Sequence, residues 1–226
     1  MDKFSGALWD SRFNKVVYHE SHDESGNARG TMRTSKAAVN DAPLVGVTRK
    51  FAEARSRVAF GLSALSAGTP MFFMGEEIVA QKIYKYDNVL QAKEDFAGER
   101  AGEGSRMFRF YQDLIRLRKR QSALRSREID VIHAYNATRI IAFVRRDGMN
   151  EFLIVASLNN MPFQDGYNLQ TEPARLGSGF WQEVLNSDAA IYGGDNIGNY
   201  GTSVRCENGQ IQVRLPANAI LAFQRL

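Results

Sequence analysis

Cysteine is nearly missing: Cys206 is the only one in 226 residues. No internal disulfide is available, and such usage fits a reducing cytosol. The opening MDKFSGALWDSRFNK lacks an apolar run behind a basic start, so it does not read as a secretory leader. No stretch is apolar enough to cross a membrane. The longest candidate, Leu62 to Met74, is interrupted by Ser63, Ser66, Gly68, Thr69 and Pro70. Neither sign of charge dominates, with 29 Lys and Arg against 25 Asp and Glu. The basic cluster between Arg116 and Arg127 reads as a solvated helix face rather than a nucleic-acid surface. Histidine is scarce, at three residues, and no G-x-S-x-G marks a nucleophilic serine. Cys206 sits before a turn with no histidine near it in sequence, and reads as a small buried hydrophobe. Internal repeats and low-complexity tracts are also lacking.

What is present is the composition of a soluble globular protein, 44% hydrophobic and 24% charged. Its texture changes near residue 125. Before that point Val16 to Tyr18 reads as a strand, and Phe51 to Ala67 as a helix ending at Gly68. TPMFFMG (Thr69 to Gly75) reads as a buried strand, and Ser105 to Arg120 as a helix with Ser105 as N-cap. Strand, long loop, helix, strand, long loop, helix is the order of parallel βα units. The two loops, roughly 20–50 and 76–104, are far longer than an ordinary connection of about 4–6 residues. Long loops after parallel strands are where barrel enzymes carry their chemistry. Two βα units cannot close an eight-unit barrel, so this half reads as part of something larger. Beyond residue 125, alternating runs flank Asp147-Gly148 and Asn208-Gly209, both strong hairpin signals. Phe180 to Leu185 and NAILAFQRL add strands, IYGGDNIGNYG is a loop, and a small β-sandwich is expected.

The densest polar group is VVYHESHDESGN (Val16 to Asn27). His19, His22 and Asp23 are metal-ligand types, but on a strand the two histidines would point to opposite faces. An acid at the end of a barrel strand can hydrogen-bond sugar hydroxyls and favour an oxocarbenium-like transition state. A neighbouring histidine can donate to another hydroxyl. On chemistry alone, a capped polar loop with no such role fits the residues better.

YHESHD (Tyr18 to Asp23) resembles the fourth signature region of the α-amylase superfamily, at the end of barrel strand seven. LSAGTPMFFMGEE resembles that family's passage into strand eight, and FYQDLIRLRKRQSALRS its last barrel helix and exit. FWQEVLNSDAAIYGGDNIGN and VRLPANAILAFQRL resemble the C-terminal β domain of 1,4-α-glucan branching enzymes in particular. The resemblance implies an α/β plus all-β chain: residues 1–124 as the last two βα units of a (β/α)8 barrel, 125–226 as a C-terminal antiparallel β-sandwich. It implies that Asp23 is the third acid, the transition-state stabiliser, and that His22 binds the sugar. Glu20 would support them, and Ser21 departs from the commoner asparagine. The larger departure is that the family's nucleophile and acid/base, after strands four and five, have no counterpart here.

The expected parent activity is retaining transglycosylation of α-1,4-glucan into α-1,6 branches, with this chain inactive alone. Hydrolysis by an amylase-like relative is the near alternative; a glucan-binding or assembly module is the distant one. The expected partner is an α-glucan; neither nucleic acid nor membrane is expected. No cofactor is expected, and no oxygen-rich loop recommends calcium. Glu76 and Glu77 read as structural, Arg29 and Arg33 as solvated, and Trp181 as β-domain core needing a partner for its indole N–H. Tyr84, Tyr86 and Phe96 are candidates to stack on a glucose ring. Unpaired barrel edges would demand either a homo-oligomer that covers them or disorder in much of residues 1–104.

Overall fold

A computed structural model describes residues 15–88 and 93–226. The opening residues, where a leader was sought, lie outside these, as does part of the second long loop. The first strand, β1 (Val16–Val17), pairs in parallel with β2 (Thr69–Pro70). Between them run a short helix α1 (Thr34–Ala37) and the long α2 (Gly46–Leu65). After β2 come a 3₁₀ turn (Glu76–Ile78), α3 (Phe96–Ala101), α4 (Ser105–Arg120) and α5 (Ser122–Arg125).

Eight antiparallel strands follow: β3 (Glu128–Tyr135), β4 (Ile140–Asp147), β5 (Asn150–Ser157), β6 (Phe163–Gln170), β7 (Gly179–Asn186), β8 (Ser203–Glu207), β9 (Gln210–Leu215) and β10 (Ala219–Arg225). Their order is β3-β4-β5-β10-β7-β8-β9-β6. This corrects the expected sandwich. β10 is hydrogen-bonded to both β5 and β7, so what would be two sheets is one. A bulge between Ala222 and Phe223 marks where β10 shifts register, and such an irregularity bends a sheet. The sheet curls until its edge strands meet through side chains: His133 Nε2 of β3 lies 2.8 Å from the Tyr167 hydroxyl of β6.

Period-two alternation then divides the apolar residues between two cores. Ile140, Ala142 and Val144 face the inside of the curl with Leu153, Leu221 and Trp181. Ile141 and Phe143 face outward and pack with Ile220 against α2 and α4. Trp181 is fully buried, and its Nε1 donates to the Gly177 carbonyl at 3.2 Å, as the sequence required. The hairpin turns also match their residues. Asn208 and Gly209 both have positive φ, as a two-residue type I′ turn demands. The β4–β5 turn is Gly148–Met149, one residue later than Asp147-Gly148, with the positive φ on Gly148.

Three local expectations need revision. Only Thr69–Pro70 of TPMFFMG is strand, and Met71, Phe72 and Met74 are exposed because little in the described chain covers them. Ser105 is the first residue of α4, not its cap; Gly104 precedes it and no side chain caps the end. Widespread disorder in 1–104 is not seen in the described part, where α2 is held on the sheet. That contact is close: a Cβ on Gly61 would lie 2.5 Å from Ile220 Cγ2, a stiff β-branched atom.

Two cations, Arg145 fully buried and Arg118 partly so, lock the layers together. Arg145 of β4, fully buried, donates to the carbonyls of Leu65 and Ser66 at the end of α2, and of Ser126 and Glu128. Arg118 of α4 donates to Ala64, Ser66, Gly68 and Leu124 carbonyls. Burial, with Arg118 nearby, pushes the Arg145 guanidinium down to about 9, so it remains a cation at neutral pH. No described helix is long and apolar enough to cross a membrane.

Arg145→Met takes a donor from four carbonyls, of which that of Ser66 keeps Arg118, and is expected to cost about 3 kcal/mol, read as a lower urea midpoint at an unchanged slope. Gly61→Ala should cost about 1–3 kcal/mol despite its better helix propensity. In combination with Ile220→Ala the two costs should add to less than their sum, as a double-mutant cycle would measure.

Candidate functional site

Past β1 the chain folds into turns over residues 22–29, and the side chains of the polar cluster separate into a buried set and an exposed set. His19 turns inward, its Nε2 2.9 Å from Glu76 Oε2 and its Nδ1 3.3 Å from Ser63 Oγ. Glu76, also buried, accepts the Tyr111 hydroxyl at 3.0 Å and the Phe73 N–H at 2.7 Å. Glu20 is buried and meets Arg33 Nε at 2.8 Å, while its other oxygen accepts the Thr34 N–H at 2.7 Å. Arg33 spans to the Met74 carbonyl at 2.9 Å. The loops after β1 and β2 are thus riveted together by buried charge. Arg33, expected in solvent, is only 3% exposed; Arg29 is exposed.

Burial is the main influence on Glu20 and raises its carboxyl above the ordinary value; the Arg33 charge and the Thr34 N–H oppose it, and Glu76 adds to it. Tyr111 is pushed well up, first by burial and then by Glu76. It is therefore a hydrogen-bond donor at any ordinary pH, and its ring stacks on Phe60 at 3.7 Å.

His22 and Asp23 form the exposed set. Their side chains are 58% and 62% exposed, and His22 Nε2 lies 3.8 Å from Asp23 Oδ2. Asp23 Oδ1 accepts the Tyr86 hydroxyl. The Asp23 carbonyl accepts the N–H groups of Asn27 at 3.2 Å and Ala28 at 2.8 Å, which fixes the backbone beneath the carboxylate. His22 is near Phe73 and Tyr86, with ring centroids 6.4 and 5.8 Å away. His19 and His22 therefore face different surroundings, and among the described residues no group of three His, Cys, Asp or Glu is placed to hold a metal.

The two residues expected at the sugar are thus brought side by side, open to solvent, above the buried Glu20–Arg33 pair and the His19–Glu76 contact. An ionised carboxylate and an imidazole in this arrangement can bind adjacent hydroxyls. The sequence reading missed Tyr111 and the buried role of Arg33, whose partners are tens of residues away. Of the aromatic candidates, Tyr86 touches Asp23, Tyr84 packs on Phe73 at 5.3 Å, and Phe96 lines, together with Tyr84, Arg33 and Met74, a cavity of about 230 Å³.

Comparison with known proteins gives consistent findings. Residues 132–225 match the family described as "Alpha amylase, C-terminal all-beta domain". The chain is 29% identical to the 1,4-alpha-glucan branching enzyme GlgB of Burkholderia thailandensis, over 99% of this chain and 26% of that one. The corresponding enzyme of Novosphingobium aromaticivorans is 31% identical, over 99% of this chain and 29% of that protein. The chain therefore spans under a third of the length of these relatives. Among solved structures, an α-amylase of Geobacillus thermoleovorans complexed with acarbose superposes with a TM-score of 0.65 at 14% identity, covering 99% of this chain and 42% of that one. A pullulanase in complex with maltotetraose gives 0.62 at 13% identity, covering 92% of this chain and 32% of that one. At such identities the structural likeness speaks to fold.

The Glu20–Arg33 pair makes a pH-dependent prediction. Arg33→Met leaves a buried carboxylate unpaired and should cost about 3–5 kcal/mol at pH 7. A carboxyl with a raised folded-state value gives stability that is present in acid and lost as pH rises through that value. Removing Arg33 raises Glu20 further, so the variant's deficit should shrink as pH falls toward about 4.5. Urea unfolding at pH 7 and pH 5 would check this; an equal deficit at both would contradict it.

Proposed function

We infer that the chain, similar over 99% of its length to 26–29% of the length of 1,4-alpha-glucan branching enzymes, is a member of the α-amylase superfamily. We propose that it carries one corner of a retaining transglycosylation site for α-glucans. Asp23 is the acid that grips sugar hydroxyls and stabilises the transition state, and His22 binds the same sugar. The observation that carries this reading is the exposed Asp23–His22 pair at the end of a parallel strand.

Retaining chemistry needs two further carboxyl groups about 5–5.5 Å apart, a nucleophile and an acid/base. In this reading they belong to a part of a longer protein that this sequence does not include. The nucleophile displaces the leaving chain's oxygen at the anomeric carbon as the acid protonates that oxygen. The incoming glucan 6-hydroxyl then displaces the carboxylate, losing its proton to the same acid/base. Asp23 remains ionised throughout and opposes the positive charge that builds on the ring.

Residues 1–124 would be the last two βα units of a (β/α)8 barrel, and 125–226 its C-terminal domain. The parallel β1–β2 pair supports this, as does an apolar groove of about 640 Å³ beside β1, lined by Val16, Val17, Val58, Leu62 and Leu158. A preceding βα unit, or a second copy of the chain, would cover it.

The isolated chain should neither release reducing ends from amylose nor shift its iodine colour. Joined to the remainder of the barrel, it should shift the colour without releasing reducing ends; release would instead identify a hydrolase. In that complete protein Asp23→Asn should lower turnover by about 10²–10³ with folding unchanged. Unaltered turnover would remove Asp23 from the mechanism and leave a binding or assembly module.

A further inference from the structure

The loop that follows the 3₁₀ turn at Glu76–Ile78 reaches back to the Asp23 turn and is stitched to it at residues 83–86. Tyr84 donates its N–H to the Ser25 carbonyl at 2.9 Å, and Tyr86 donates its own to Asn27 Oδ1 at 3.1 Å. Asn27 Nδ2 in turn donates to the His22 carbonyl, and Lys85 Nζ to that of Gly26. The approach is close enough to require glycine. Gly26 has φ +127°, and a Cβ there would lie 2.5 Å from Ile83 Cβ. Backbone therefore sets where the Tyr86 ring stands, and its hydroxyl donates to Asp23 Oδ1.

Four rings then close on one another. His22 and Tyr86 are 5.8 Å apart, Tyr86 and Tyr84 5.9 Å, Tyr84 and Phe73 5.3 Å, and Phe73 and His22 6.4 Å. The Arg33 guanidinium lies 5.3 Å from the Phe73 centroid, joining this cluster to the buried pair below. Tyr86 remains 55% exposed, so the wall is open on the side of the acid.

We propose that Tyr86 is a positioning residue for Asp23, and that its ring, braced edge-to-face by Tyr84 at 89°, forms the wall against which one pyranose ring of a neutral saccharide rests. The hydroxyl occupies Oδ1 and fixes the carboxylate's rotation, leaving Oδ2, beside His22, for sugar hydroxyls. The hydrogen bond to Asp23 is also the chief cause that lifts the Tyr86 phenol to about 12, so it stays a donor at neutral pH. A flat apolar face beside an oriented carboxylate suits the C–H face and hydroxyl edge of a sugar. The wall rests on the glucan reading; the hydroxyl–carboxylate contact does not.

The test uses the whole chain, with assigned tyrosine ring resonances, in two arms. Without ligand, the Tyr86 resonances should move as Asp23 takes up its proton in acid, and should stay still in Asp23→Asn; no movement in the wild type overturns the positioning role. With maltoheptaose, Tyr86→Phe should bind within about twofold of the wild type, whereas Tyr86→Ala should bind about five- to tenfold more weakly. Equal binding by Tyr86→Ala overturns the wall. Absence of binding by the wild type overturns the wall together with the glucan reading, while the acid titration still decides the contact.

Discussion

The C-terminal end of α2 is a cluster of backbone carbonyls that the helix itself cannot satisfy, and it is buried between a sheet and a second helix. Arg145 and Arg118 supply the missing donors from opposite sides. A fully buried guanidinium with no carboxylate partner is costly to desolvate. Here the charge is met by four carbonyl dipoles and the negative end of a helix. Because Arg145 grows from β4 and Arg118 from α4, the two side chains fix the distance between sheet and helices. They also fix the turn into β2, since Arg118 holds the Gly68 carbonyl immediately before Thr69. The position of β2 against β1, and so of the loops beyond both strands, descends from this junction.

From the junction outward the same device recurs. Arg33, paired with Glu20 in its own loop, reaches the Met74 carbonyl, and His19 meets Glu76; these two contacts join loops rather than strands. A buried ion pair such as Glu20–Arg33 adds little to stability over an apolar replacement, but losing one member is severe. Their use here is positional. Two long loops with few apolar contacts of their own are held in one arrangement, and the exposed Asp23–His22 pair is held with them. The loop between β7 and β8 follows a similar logic. Glu183 and Asp188 accept backbone N–H groups of Asn199, Gly201, Asp195 and Ile197, so a Gly- and Asn-rich segment becomes part of the packed structure.

Much of this architecture is legible from residue patterns, and what is not has identifiable reasons. β4, β5, β8, β9 and β10 announce themselves by alternation around Gly148 and Asn208-Gly209. The edge strands β3 and β6 do not. FQDGYNLQ is largely polar, and EIDVIHAY, though five of its eight residues are apolar or aromatic, loses its alternation at the irregularity between Val131 and His133. TPMFFMG is apolar enough for a buried strand, yet the described chain gives most of it nothing to be buried against. Cations mislead most. Arg33 reads as solvated and Arg118 lies in a basic cluster that reads as a solvated helix face, but carbonyl acceptors satisfy much of their hydrogen bonding, as they do for Arg57 and Arg145, and leave no mark in a sequence. His22 and Asp23 are readable as a pair because they are adjacent. Tyr86, separated from Asp23 by 63 positions, is not.

The place of β10 in the sheet has a consequence for how the molecule is made. It follows every other strand in chain order, yet it lies between β5 and β7 and contributes to both cores. On the ribosome, β3–β5 can form as a meander while later residues are still being added, but their outer partner does not yet exist. Until residue 225 has emerged, β5 presents an apolar, unpaired edge, and α2 lacks Ile220 beneath Gly61. Nascent chains of this topology therefore depend on protection from aggregation until β10 has been made, and a ribosome stalled just before it would hold β3–β9 in their most adhesive state.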